Sequence, residues 1–147
     1  MKRPLHTPPT VSETRVRVNY SETDQMGVVY HARHVVWLDI ARTEHLREAG
    51  YNYRELETRN FRLVVTDLRI RYLKPARYDD QIRIRCWVRE IASRRVTFGY
   101  ALDKVEDGSL IATAETALIC LDQNHALTRL PDEVRSVLIV TPDLVRL

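Results

Sequence analysis

The chain has 147 residues, 44% of them apolar and 29% charged, and its 23 Lys+Arg against 20 Asp+Glu leave a formal net charge of +3. A composition this close to globular averages excludes an intrinsically disordered chain, and the length sets one domain as the expectation, able to remove roughly 68–70% of its unfolded surface from water. No apolar run approaches the roughly 18–20 residues of a membrane span, no apolar stretch follows Met1-Lys2-Arg3 to make a secretory signal, and two cysteines, Cys86 and Cys120, make neither a disulfide framework nor a metal knuckle.

Residues 1–13 contain Pro4, Pro8 and Pro9 and show no periodicity, so they are expected to form a flexible arm ahead of a single domain spanning 14–147. From Thr14, Val16, Val18 and Tyr20 alternate with Arg15, Arg17 and Asn19, the pattern of a half-buried strand. Ser21 to Gly27 reads as a turn. A helix follows over Ala32–Ala49, stopped by Gly50. Its segment Val35–Ala41 is apolar nearly all round and Arg42–Glu48 is mostly charged, which predicts an enclosed first half and an end that emerges into solvent. A short helical piece is expected at Tyr53–Arg59.

The remainder alternates as strands: Leu68, Ile70 and Tyr72; Ile82, Ile84, Cys86 and Val88; Val96, Phe98, Tyr100 and Leu102; then, after the turn Glu106-Asp107-Gly108-Ser109, a long apolar run over Leu110–Leu121 that suits a central strand. Pro131–Val140 reads as a short helix or coil on an edge. The order of strand, helix and four strands is an α+β pattern with one antiparallel sheet, and a sheet curved around the helix would explain the helix's apolar first half. Arg69, Arg71, Arg83, Arg85 and Arg89 alternate with the apolar face and read as solvation of the outer sheet surface rather than a nucleic-acid platform, for which Trp87 would be the one aromatic on that face of the two strands.

The segment Asn19 to His31 places the carboxylate of Asp24 in a polar turn just ahead of the helix, where unsatisfied backbone N–H groups gather. Such a pair suits attack on a carbonyl: the N–H groups stabilise the oxyanion while the carboxylate attacks or activates water. By spacing alone, the same residues better suit an Asp that closes the turn or caps the helix.

The run Tyr20-Ser21-Glu22-Thr23-Asp24-Gln25-Met26-Gly27-Val28-Val29-Tyr30-His31, followed by Ala41-Arg42-Thr43-Glu44, resembles the hotdog-fold acyl-CoA thioesterases of the 4-hydroxybenzoyl-CoA thioesterase family, in their YbgC-type branch. Tyr72-Leu73-Lys74-Pro75-Ala76-Arg77-Tyr78-Asp79-Asp80 and Arg94-Arg95-Val96-Thr97-Phe98-Gly99-Tyr100 fit as well, so the likeness runs from about Arg15 to Leu130. The resemblance implies a curved antiparallel sheet wrapped around one long central helix. It implies hydrolysis of an acyl-CoA thioester to the carboxylic acid and free CoA, without a cofactor, by a cytoplasmic homodimer or homotetramer. Asp24 would be nucleophile or general base, a backbone N–H near His31 would polarise the carbonyl, and Gly27, Val29 and Tyr30 would bind substrate. A thioesterase acting on carrier-protein thioesters and a non-catalytic acyl- or nucleotide-binding module are the alternatives. His31-Ala32-Arg33-His34 stands where family members often carry His-x-Asn-Tyr, and Asp39 where they often carry Glu, which leaves the roles of Arg33, His34 and Asp39 open. His31 and His34 are spaced like a metal pair but lack a third ligand nearby, so no metal is expected.

Overall fold

Alternation of apolar and polar residues is realised as strands β1 (Val11–Arg17), β2 (Arg62–Tyr72), β3 (Gln81–Ile91), β4 (Arg95–Lys104) and β5 (Leu110–Leu121). Helices α1 (Arg33–Glu48) and α2 (Tyr53–Thr58) lie between β1 and β2, and α3 (Asp132–Arg135) follows β5. The structure is a computed structural model that describes residues 7–147; the first six residues of the expected arm lie outside the described residues. Strand β1 opens at Val11, three residues earlier than the alternation suggested.

Among the described residues the five strands form one antiparallel sheet in the order β1-β3-β4-β5-β2, packed on α1, which is the expected α+β hotdog arrangement. Strand β4 is buried from Val96 to Asp103, because it pairs on both sides and is covered on both faces. Strand β2 is an edge, exposed from Val64 to Arg69. Its first turn of free edge is occupied: the Tyr53 hydroxyl accepts from the Leu63 N–H and donates to the Leu63 carbonyl, both at 3.1 Å.

Helix α1 packs against β1 and β3 through the stripe His34, Trp37, Leu38, Ala41, His45 and Leu46, which recurs at the three- and four-residue spacing of one helical face. This corrects the expectation that its first half is enclosed and its charged half exposed. Val35, Val36 and Ile40 are 36%, 48% and 38% exposed, whereas His45 and Leu46 are buried. A single sheet covers one side of the helix, so the apolar outer side stays open along the first turns, and the buried stripe continues through the charged half at Ala41, His45 and Leu46.

The outer face of the sheet is closed by the C-terminal segment. Val140 bridges in parallel to Val88, and the Thr141 N–H donates to the Val88 carbonyl at 2.9 Å. Trp87, expected on an open outer surface, is fully buried and donates its indole N–H to Asp143 at 3.0 Å. Its ring lies over Gly99, the residue paired with it across β3 and β4. The arginines of that face are held by acids: Arg83 and Arg85 by the buried Asp103, and Arg89 by Asp143 and Glu115. The Thr141 hydroxyl also donates to the Thr10 carbonyl at 3.1 Å, tying the tail to the start of β1.

Candidate functional site

Residues 22–30 fold back on themselves as a tight hairpin between β1 and α1. Thr23 bridges Val29, the Asp24 N–H donates to the Val28 carbonyl at 2.9 Å, and the Tyr30 N–H donates to the Glu22 carbonyl at 2.9 Å. Gly27 makes the reversal possible by adopting φ +75°, a region costly for any residue with a Cβ. At the hairpin tip Asp24 Oδ1 accepts from the Met26 N–H at 2.9 Å, and Gly27 N–H donates to the Asp24 carbonyl at 3.0 Å. The turn-closing role foreseen for Asp24 is therefore present, through one carboxylate oxygen; among the described residues no group donates to Oδ2. Asp24 is half-buried.

The hairpin is bolted to the helix by a residue that sequence reasoning did not single out. Glu22 Oε1 accepts from the Asn19 N–H, and Oε2 accepts from the Trp37 indole N–H, each at 2.9 Å. Trp37 is buried in the core stripe, so the loop carrying Asp24 is referenced to the body of α1 rather than hanging free. The partners stand 15 residues apart, and no local periodicity joins them.

Helix α1 starts without a side-chain cap, because the capping position is Ala32, which has no acceptor. Among the described residues nothing accepts a hydrogen bond from the backbone N–H of His31 or Ala32. His31 stands in the wall of a cleft of about 290 Å³. Val28, Val29, His31 and His34 form one wall, and Tyr72, Leu73, Lys74, Pro75 and Ala76 from the end of β2 and the following loop form the other. The Val29 N–H donates to the Ala76 carbonyl at 2.8 Å, stitching the two walls together. Of the expected site residues, Val29 and His31 line the cleft; Asp24 and Gly27 sit in the adjoining hairpin, and Tyr30 is 46% exposed with its ring tilted against that of His31 at 4.4 Å.

His34 is buried, and burial pulls its imidazole below the ordinary histidine range despite the backbone carbonyls of His31 and Tyr30 nearby. It lies between the rings of Trp37 at 5.1 Å and Tyr72 at 5.0 Å. Tyr72, 47% exposed, donates its hydroxyl to the His31 carbonyl at 2.5 Å, and burial raises its pKa. The sequence marked Tyr72 as a strand residue and as the start of a family-like segment but not as a partner of His31, which lies 41 positions away. Asp39 is on the exposed side of α1, where it accepts from Arg42 Nη2 at 2.7 Å, the intrahelical pair expected for this spacing. Arg33 is exposed at the first helical position. Among the described residues no three His, Cys, Asp or Glu side chains are grouped as metal ligands.

The family model described as "Thioesterase-like superfamily" matches residues 18–138. The "Acyl-CoA thioester hydrolase YbgC" of Escherichia coli O6:H1 is 34% identical over 107 residues, covering 73% of this chain and 79% of that protein. Among solved structures, the DHNA-CoA thioesterase from Staphylococcus aureus superposes with a TM-score of 0.81 at 31% identity, covering 86% of this chain and 89% of that one. The hypothetical protein TT1821 from Thermus thermophilus superposes with a TM-score of 0.82 at 34% identity, covering 87% of this chain and 95% of that one.

Proposed function

The chain belongs to the thioesterase-like superfamily and is a thioester hydrolase; from that premise we propose that it cleaves acyl-CoA thioesters to the carboxylic acid and free CoA, with Asp24 acting at the thioester carbon. The observation that carries this reading is the pairing, in one short hairpin and helix start, of a carboxylate with one uncommitted oxygen and backbone N–H groups without acceptors among the described residues. The names of the Escherichia coli and Staphylococcus aureus relatives support CoA as the thiol carrier.

In the general-base route Asp24 takes a proton from water, and the water oxygen bonds to the carbonyl carbon. The oxyanion is held by the N–H groups at the mouth of α1. Collapse breaks the C–S bond and Asp24 returns the proton to the CoA thiolate. In the nucleophilic route an Asp24 oxygen bonds to the carbon and expels CoA thiolate, leaving a mixed anhydride that water hydrolyses. Gly27 shapes the hairpin, Val29 and Tyr30 flank the acyl-bearing carbon, and the cleft between His31 and Lys74 admits the thioester arm. No cofactor enters either route.

We read residues 14–147, with the start of β1 at Val11, as the catalytic domain, acting as a homodimer or homotetramer. The open apolar side of α1 and the exposed edge of β2 support association. We place the reaction in the cytoplasm; both cysteines are free, and among the described residues no helix is long and apolar enough to cross a membrane.

The test is Asp24→Asn, assayed for thiol release from acetyl-, octanoyl- and benzoyl-CoA and for thermal stability on the same preparation. The expected result is a loss of at least about 10²-fold in kcat with acyl-CoA binding retained. A lowered Tm with turnover per folded molecule intact would instead leave Asp24 as a turn residue only. His31→Ala keeps its backbone N–H and should lose far less than the roughly 10²–10³-fold that follows loss of an oxyanion donor.

A further inference from the structure

We propose that His34 is a specificity-determining residue: its Nε2 accepts a hydrogen bond from a hydroxyl on a short acyl chain, so that the cleft favours hydroxyacyl-CoA thioesters over their unsubstituted counterparts. The inference rests on the reading above and adds which acyl group the cleft takes.

The state of the imidazole follows from its neighbours. Nδ1 lies 3.2 Å from the His31 carbonyl, and a carbonyl oxygen only accepts, so Nδ1 carries the proton and donates. The other carbonyl near the ring, that of Tyr30, already accepts from the Arg33 N–H at 2.9 Å. Burial keeps the ring neutral, which leaves a lone pair on Nε2. Among the described residues no group donates to Nε2, yet it is not sealed from solvent as the unpartnered Nε2 of His45 is. His34 is 4% exposed, flanked by the rings of Trp37 and Tyr72, and it lines the cleft. Its remaining opening is into that space.

The cleft has a closed end and an open one. His34 lies about one turn along α1 from His31 and is buried, whereas Lys74 on the facing wall is exposed. The CoA part of a thioester ends in phosphates, so it leaves by the open, cationic side and puts the acyl chain at His34. The side chains of Val28, Val29, Leu73, Pro75 and Ala76 make the rest of the wall apolar. The other two polar side chains are engaged: the Tyr72 hydroxyl donates to the His31 carbonyl, and the His31 ring is tilted against that of Tyr30. An acyl chain without a donor strips water from Nε2 and returns nothing, whereas a hydroxyl replaces that water. A volume of about 290 Å³ lies at the lower end of the range for small-molecule sites, which suits a short chain.

The experiment compares kcat/KM for 2-hydroxybutyryl- and 3-hydroxybutyryl-CoA with that for butyryl-CoA, in the wild type and in His34→Phe. The variant keeps an aromatic ring between Trp37 and Tyr72 and removes the acceptor. At least one hydroxyl position should be favoured about tenfold by the wild type, a modest ratio because the acceptor keeps contact with water, and that ratio should fall about tenfold in His34→Phe. Any effect of the hydroxyl on the thioester's own reactivity is common to both proteins and cancels. A wild type that turns over none of the three esters, or that prefers neither hydroxyl position, would overturn the proposal. Equal ratios in the two proteins would overturn it as well, and equal losses on all three esters would assign Nε2 to the pantetheine arm instead. Should His34→Phe fail to fold, the ¹⁵N resonance of His34 Nε2 is read in Asp24→Asn. The favoured hydroxybutyryl-CoA should move it upfield, as accepting a hydrogen bond does, and butyryl-CoA should not; equal movement with both would overturn the proposal. Failure of the parent reading is separate: it is marked by Asp24→Asn hydrolysing at the wild-type rate, whatever the hydroxyl preference.

Discussion

His45 gives the protein a stability that depends on pH in a defined window. The side chain is fully buried on the core stripe of α1, with Nδ1 2.8 Å from the Ser12 hydroxyl, Nε2 without a partner, and the Phe98 ring edge-on at 6.0 Å. Burial lowers its pKa from 6.5 to about 4, against a smaller opposing influence of the Cys86 carbonyl. The folded state therefore binds its proton only near pH 4, whereas the unfolded chain binds it near 6.5, so between these values the unfolded state holds more protons and stability rises with pH. Going from about pH 7.5 to about pH 5 should cost about 2 kcal/mol, approaching about 3 kcal/mol below pH 4. For a chain of this size that is about 4–8 °C in Tm. The neighbouring Cys86 thiol, pushed up by burial, does not titrate in this range. The assay is the Tm of wild type and of His45→Gln at both pH values. The variant is expected to start lower, but its loss between the two should be smaller by the stated amount, because Gln carries no proton to exchange. Parallel slopes in the two proteins would show that His45 titrates alike in both states and would refute the reasoning.

Gly99→Ala places a Cβ 2.6 Å from Trp87 Cε2, too close for any real contact, and the indole is held by Asp143 and buried on all sides. It should destabilise by about 1–3 kcal/mol, read by urea unfolding, with kcat per folded molecule kept because the site lies on the other side of the sheet. Light scattering at micromolar concentration should give the mass of a dimer or tetramer, and Val36→Glu, on the open side of α1, should lower it; a monomeric wild type would contradict the proposed assembly.

Where the fold was legible, the signal was local. Strands β3, β4 and β5 follow from alternation and apolar runs, because each is buried in the pattern its neighbours require. The start of β1 was hidden because Ser12 is a polar residue turned inward, and its reason for being there is His45, 33 positions away. The burial of α1 is hard to read for a related cause: a segment apolar on every side says that something covers it, not that the same chain does. Trp87 reads as an open-surface residue because nothing near it in sequence announces that Asp143 and the C-terminal segment close over it. The site divided along the same line. Asp24, Gly27 and the helix start were readable as one contiguous run, whereas Glu22 with Trp37 and Tyr72 with His31 are long-range pairs, invisible until the chain is folded.

The hydrogen bond from Thr141 to Thr10 has a topological consequence. The strand that opens the sheet and the segment that seals its outer face are tied at this point, and the chain then runs on across the sheet: Asp143 takes the Trp87 indole and the Arg89 guanidinium, and Leu147 lies beside Arg69, Ile70 and Thr113 of β2 and β5. The last eight residues thus act as a strap from the β1 side of the sheet to its β2 side. Tail and first strand protect one another from fraying, so amide exchange at the start of β1 and at Thr141 should open together.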